Sequence, residues 1–98
     1  MTIQIKKSEE KTTLEINGRL DTTTAPALEK TINDSIEGIK TLILDLKGLE
    51  YVSSAGLRVL LGAQKKMQQF GAMKIINVCE LVMEVFEMTG FSDILTIE

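Results

Sequence analysis

Two adjacent serines, Ser53 and Ser54, stand at a junction in the stretch YVSSAGLRVLL, with an apolar strand-like run before them and a helix-like run after. A serine at such a junction can serve in two ways. Its oxygen can cap the helix by accepting a hydrogen bond from an amide that the first turn leaves without a partner. By spacing alone this is the commoner outcome. Its hydroxyl can also accept a phosphoryl group, because a helix N-terminus offers free N–H groups and the positive end of a dipole to an anion. Such a phosphate adds about −1.5 to −2 charges at a place where the fold tolerates them.

Catalysis at either serine would need a base to take its proton. The chain has no histidine, and no lysine stands at a recognisable spacing. Val52 occupies the place of the first glycine of a G-x-S-x-G elbow, so the stretch is not that motif. Neither phosphate-binding glycine pattern occurs. Asp21, Asp45 and Glu50 fall on different elements and read as solvated or capping residues rather than a metal site. Cys79, in the apolar run NVCEL, reads as a small buried filler. No catalytic residue, cofactor or metal is expected.

Net charge is −3 over 98 residues, and the lysines are scattered rather than striped. That argues against nucleic acid, whose affinity rests on phosphate neutralisation, and against a polybasic membrane contact. No apolar run approaches the ~20 residues needed to span a bilayer. A single cysteine and no apolar N-terminal leader make the cytoplasm the expected setting.

The elements that must position the serines follow from periodicity. Ile3 and Ile5 alternate with polar residues, as do Leu14 and Ile16 within Thr12 to Ile16, predicting a hairpin with its apolar side chains inward. Gly18 to Thr24, GRLDTTT, reads as a loop, with Thr24 as an N-cap and Pro26 in the first turn of a helix. Leu28, Ile32 and Ile36 form the apolar face of that helix. TLILDL, Thr41 to Leu46, predicts a strand buried on both faces, followed by the loop KGLEYVSS. The next helix carries Leu60, Ala63, Met67 and Phe70 inward and ends at Gly71. Gly62 inside it implies close packing, since glycine there costs up to ~1 kcal/mol. Met73 to Val78 predicts a further interior strand. Leu81 to Thr89 predicts a helix stopped by Gly90, and Ile94 and Leu95 point inward after it. The expectation is one α/β domain over residues 1–98, with a mixed sheet of about four strands in the order β-β-α-β-α-β-α. Both GRLDTTT and the serine loop then emerge at the carboxyl edge of the strands, where open α/β sheets gather function.

Three blocks, GRLDTTTAPALEK, LILDLKGLEYVSSAGLRVLL and VMEVFEMTGFSDIL, resemble the bacterial anti-sigma factor antagonists, the stand-alone form of the STAS domain. The specific block is the middle one, where the family pattern is an apolar pair, Asp, a phosphorylatable Ser, a small residue, then Gly-Leu. The resemblance implies that Ser54 is the phosphoacceptor and that Ser53, standing where many members have Asp, is a secondary candidate. It implies a partner surface of Asp21, Thr22, Thr23, Thr24, Ser53, Ala55, Gly56 and Arg58, with Gly56 admitting a partner's backbone. Leu61 lies one turn beyond, and Met83, Phe86 and Met88 are expected in packing. It also implies partner switching. The unmodified protein binds an anti-sigma factor that is itself a serine kinase, phosphorylation releases it, and a serine phosphatase resets it. Rival readings are a STAS domain that senses a small molecule or nucleotide, one that serves a transporter, and a phosphoryl carrier using Cys79 or Ser54.

Overall fold

A computed structural model describes residues 1–98. Strands β1 (Thr2–Lys7) and β2 (Lys11–Leu20) form the hairpin, with Ile3 opposite Ile16 and Ile5 opposite Leu14. Helix α1 (Ala25–Ser35), strand β3 (Thr41–Val52), helix α2 (Ser54–Phe70), strand β4 (Ala72–Ile76) and helix α3 (Glu80–Thr89) follow. One 3-10 turn, Phe91–Asp93, closes the chain. The element order is the one expected from periodicity.

The strands lie in the order β1-β2-β3-β4, with β1 antiparallel to β2 and the rest parallel. Both crossovers step in the same direction across the sheet. Right-handed crossovers of that kind place α1 and α2 on one face. The core fills that side. Leu14, Leu44 and Ile75 form one buried row, and Leu28, Ile32, Leu60, Met67, Val82 and Phe86 pack from the helices. On the alternate residues, Gln4, Glu15, Asn17, Asp45, Lys47 and Gly48 line an open polar hollow of about 440 Å³.

Two strands are longer than expected. β2 runs on through Gly18, Arg19 and Leu20, and β3 through KGLEYV to Val52. The cause is irregular register. Glu15 pairs with Asp45 but Asn17 with Gly48, and Gly18 pairs with Leu49 but Arg19 with Tyr51. β3 thus carries an extra residue at each step, which bends it and strengthens its twist. Leu46, Leu49 and Val52 are buried at a spacing of three, a pattern that alternation does not reveal.

Two other departures, at β1 and β4, share one explanation, position in the sheet. β1 is an edge strand, and Ile5 is exposed. β4 is the opposite edge rather than interior; it stops at Ile76, and Asn77 takes a left-handed φ of 58°. The tail covers this edge, since the Ile75 amide donates to the Thr96 carbonyl and the Glu98 amide to the Ile75 carbonyl, both at 2.8 Å. Phe70, at the last turn of α2, is 58% exposed instead of inward. Ile94 is exposed while Leu95 is buried. Met88 is exposed too, whereas Phe86 is in the core and Met83 is half-buried against it. Gly62 is not a close-packing site: a Cβ there would meet nothing within 4 Å.

Candidate partner-binding site

β2 and β3 end together, with Leu20 paired to Val52. The Ser53 amide then donates to the Leu20 carbonyl at 2.9 Å, tying the two loops to one edge. Ser53 is extended, with φ −96° and ψ 176°, and its Oγ accepts the Gly56 amide at 3.3 Å. Its carbonyl accepts the Leu57 amide at 2.9 Å. These are the bonds of an N-cap residue, side chain to the third helical position and carbonyl to the fourth. The cap that either serine could supply therefore belongs to Ser53. Ser54 is the first residue of α2, and it is exposed where Ser53 is half-buried. No acidic residue stands in that first turn.

The departure at Ser53 gains a physical meaning here. Asp and Ser cap helices about equally well. Serine in this place keeps the cap without the negative charge of the aspartate that the resemblance implies.

Gly56 is buried, and its missing side chain has an internal cause. A Cβ there would lie 2.6 Å from Leu20 Cγ and 3.0 Å from Val52 Cγ2. The glycine lets α2 approach the ends of β2 and β3, so it is not open to a partner's backbone. Ala55 and Leu61 are half-buried, and Arg58 is exposed one turn along.

The neighbouring loop is built on Asp21. Its Oδ1 accepts the Thr23 hydroxyl at 2.7 Å, the Thr23 amide at 3.0 Å and the Thr24 amide at 3.2 Å. The Thr23 hydroxyl, then the amides of Thr23 and Thr24, hold the Asp21 carboxyl below the usual aspartate range. Asp21 is thus kept as a carboxylate at the rim. Thr24 holds the cap position of α1, but its side chain makes no cap hydrogen bond. Its Oγ1 instead donates to the Arg19 carbonyl at 2.8 Å and accepts the Asp21 amide at 2.9 Å. Thr22 and Thr23 are exposed.

Arg19 was not singled out by sequence reasoning. Its guanidinium lies 4.3 Å from the centroid of the Tyr51 ring, its register partner on β3. No local pattern predicts that pair, because it depends on the shifted register. Cys79 is the N-cap residue just before α3, half-buried, with Sγ 3.4 Å from the Leu49 carbonyl. No group of three His, Cys, Asp or Glu residues is placed to hold a metal ion.

The STAS domain family model matches residues 2–98. The anti-sigma-B factor antagonist of Bacillus subtilis is 31% identical over 96 residues, covering 97% of this chain and 88% of that one. The chain belongs to the STAS domain family of anti-sigma factor antagonists. Other STAS proteins share the fold. An anti-sigma factor antagonist from Mycobacterium paratuberculosis superposes with a TM-score of 0.89 at 22% identity, covering 98% of this chain and 83% of that one. Unphosphorylated SpoIIAA, also an anti-sigma factor antagonist, superposes with a TM-score of 0.84 at 19% identity, covering 99% of this chain and 88% of that one. SpoIIAA has a solved phosphorylated form as well, at a TM-score of 0.77, 19% identity, and coverage of 99% of this chain and 91% of that one. The STAS expectation drawn from the three sequence blocks and the mixed four-stranded sheet are thus both borne out. No helix of this STAS domain is long and apolar enough to cross a membrane.

Proposed function

We propose that this STAS domain is a phospho-switched protein-binding module that engages an anti-sigma factor through the edge formed by Asp21, Thr22, Thr23, Ser54 and Arg58. In this reading the anti-sigma factor is also an ATP-dependent serine kinase. The Ser54 hydroxyl attacks the γ-phosphorus of ATP, gives its proton to a base of the kinase, and displaces ADP. The phosphoserine ends the complex, and a serine phosphatase restores the hydroxyl by hydrolysis.

The observation that carries the proposal is the division of labour between the two serines. Ser53 is half-buried and spends its oxygen on the Gly56 amide, while Ser54 is exposed at the start of α2. A phosphate on Ser54 sits at the positive end of a 17-residue helix, so the fold tolerates it. In an interface the same group is a desolvated charge facing a surface shaped for a hydroxyl. Each ~1.4 kcal/mol of that penalty weakens binding tenfold. Ser53 is disfavoured as an acceptor, because its half-buried oxygen is already engaged with the Gly56 amide and is less open to a kinase. The phosphorylated and unphosphorylated forms of SpoIIAA lend support by likeness of fold. No base accompanies Ser54, so the domain is read as a substrate and binder rather than a catalyst.

The test is phosphorylation by the cognate anti-sigma kinase with ATP, followed by intact mass and site mapping. One added phosphate on Ser54, absent in Ser54→Ala, is expected. Phosphate on another residue, or none, defeats the reading.

A further inference from the structure

Charge is segregated along the second half of the chain. Residues 51–74 hold Arg58, Lys65, Lys66 and Lys74 and no Asp or Glu. Residues 75–98 hold Glu80, Glu84, Glu87, Asp93 and Glu98 and no Lys or Arg. Of those five acids, only Glu98 is in an ion pair, with Lys74 at 3.3 Å. Helix α3 is therefore acidic with no internal neutralisation.

The same helix has apolar residues on two sides. Val82 and Phe86 are buried in the core. Leu81 and Met88, seven residues apart and so close to one face, are 58% and 87% exposed, with Val85 half-buried between them. Single exposed apolar residues need no explanation. An apolar row fringed by unpaired carboxylates from Glu80, Glu84 and Glu87 is different, because its charge has one sign and its centre is adaptable.

The position of α3 links this face to the phosphoacceptor. The Cys79 Sγ contact to the Leu49 carbonyl pins the first turn of α3 beside the carboxyl half of β3. β3 ends three residues later at Val52, and Ser54 follows. The start of that face, at Leu81, therefore lies toward the same end of β3 as Ser54, and α3 runs on from there to Met88.

We infer that the outward face of α3, centred on Leu81, Val85 and Met88, is a second half of the binding surface, selecting an anti-sigma factor that presents apolar side chains fringed by lysine or arginine. The inference rests on the proposed function and adds the chemistry of the partner. Charge complementarity argues for that occupant, since a surface of unpaired carboxylates attracts a basic one and repels an acidic one. A second copy fits less well. Acidic α3 seated on basic α2 is a head-to-tail contact, which propagates into chains unless its rotation closes a ring.

The experiment measures binding of the purified full chain to its anti-sigma factor at two salt concentrations, with sedimentation of the chain alone. Met88→Ser is expected to weaken binding about tenfold. The double variant Glu84→Lys/Glu87→Lys is expected to weaken it by about tenfold or more, with slower association and a reduced salt dependence. Glu9→Lys, in the β1–β2 turn at the far end of the sheet, is the charge control and binds as the parent does. Unchanged binding in both α3 variants, while Ser54→Asp abolishes it, overturns the inference and leaves the Ser54 reading standing. Loss in the α3 variants with Ser54→Asp still bound overturns the Ser54 reading alone. A parent chain that binds no anti-sigma factor overturns both. Self-association of the chain alone, abolished by Met88→Ser, assigns the face to a second copy and overturns the inference.

Discussion

The Ser53 side-chain oxygen accepts the Gly56 amide at 3.3 Å, and that bond separates two serines that are chemically identical in sequence. It makes Ser53 part of the helix and leaves Ser54, the next residue, exposed on it. The cap and the exposed hydroxyl thus belong to different side chains, and each can be perturbed without the other.

Replacing the cap tests the first assignment. Ser53→Ala removes the bond to Gly56 and is expected to cost about 1 kcal/mol. Ser53→Asp keeps a capping oxygen and favours the helix dipole, so its stability stays within about 0.5 kcal/mol of the parent. Urea denaturation curves of the two variants distinguish them. Equal loss in both would place the stabilisation elsewhere.

The exposed serine tolerates what the capping one does not. Ser54→Ala and Ser54→Asp are expected to unfold within about 0.5 kcal/mol of the parent, as ordinary surface substitutions do. Ser54→Asp is expected to lose the anti-sigma partner while keeping the parent's circular dichroism and melting curve. A collapse of the fold in Ser54→Asp would show that Ser54, not Ser53, supports the helix.

Two glycines of α2 predict opposite signs. At Gly56 a new Cβ would lie 2.6 Å from Leu20 Cγ, so Gly56→Ala is expected to destabilise by about 1–3 kcal/mol through overpacking. At Gly62 a Cβ meets nothing within 4 Å, so Gly62→Ala is expected to stabilise by up to ~1 kcal/mol through helix propensity. Thermal melts of the pair check both signs in one experiment.

The Asp21 loop predicts a pH effect. Hydrogen bonds from the Thr23 hydroxyl and from the amides of Thr23 and Thr24 lower the folded pKa of Asp21. A group whose pKa is lower folded than unfolded stabilises the fold above its unfolded value, about 3.9 for Asp. That contribution is lost as pH falls from there through the folded value. Side-chain NMR titration is expected to place the Asp21 midpoint below the ordinary one, and Thr23→Val to raise it. A midpoint at the ordinary value, unmoved in Thr23→Val, would remove the loop's electrostatic basis.

Sequence and tertiary structure divided the information along physical lines. Periods that complete within one element were legible: alternation in Leu14 and Ile16, and the i, i+4 spacing of Leu28 and Ile32. A helix face or strand face is decided by residues that are neighbours in the chain. The three blocks GRLDTTTAPALEK, LILDLKGLEYVSSAGLRVLL and VMEVFEMTGFSDIL also carried the family. What sequence left open depended on groups brought together from afar. The extra residues of β3 appear only against β2, so KGLEYV looked like a loop and the Arg19–Tyr51 pair was invisible. Edge and centre of a sheet share the same apolar residues, so β4 looked interior and Ile5 looked buried. Gly56 and Gly62 are the same residue on the same helix, and only the nearness of Leu20 tells which one packing requires. So too with Ser53 and Ser54: their types allowed a cap or an acceptor at either place, and the geometry at the end of β3 gave the cap to the first and exposed the second.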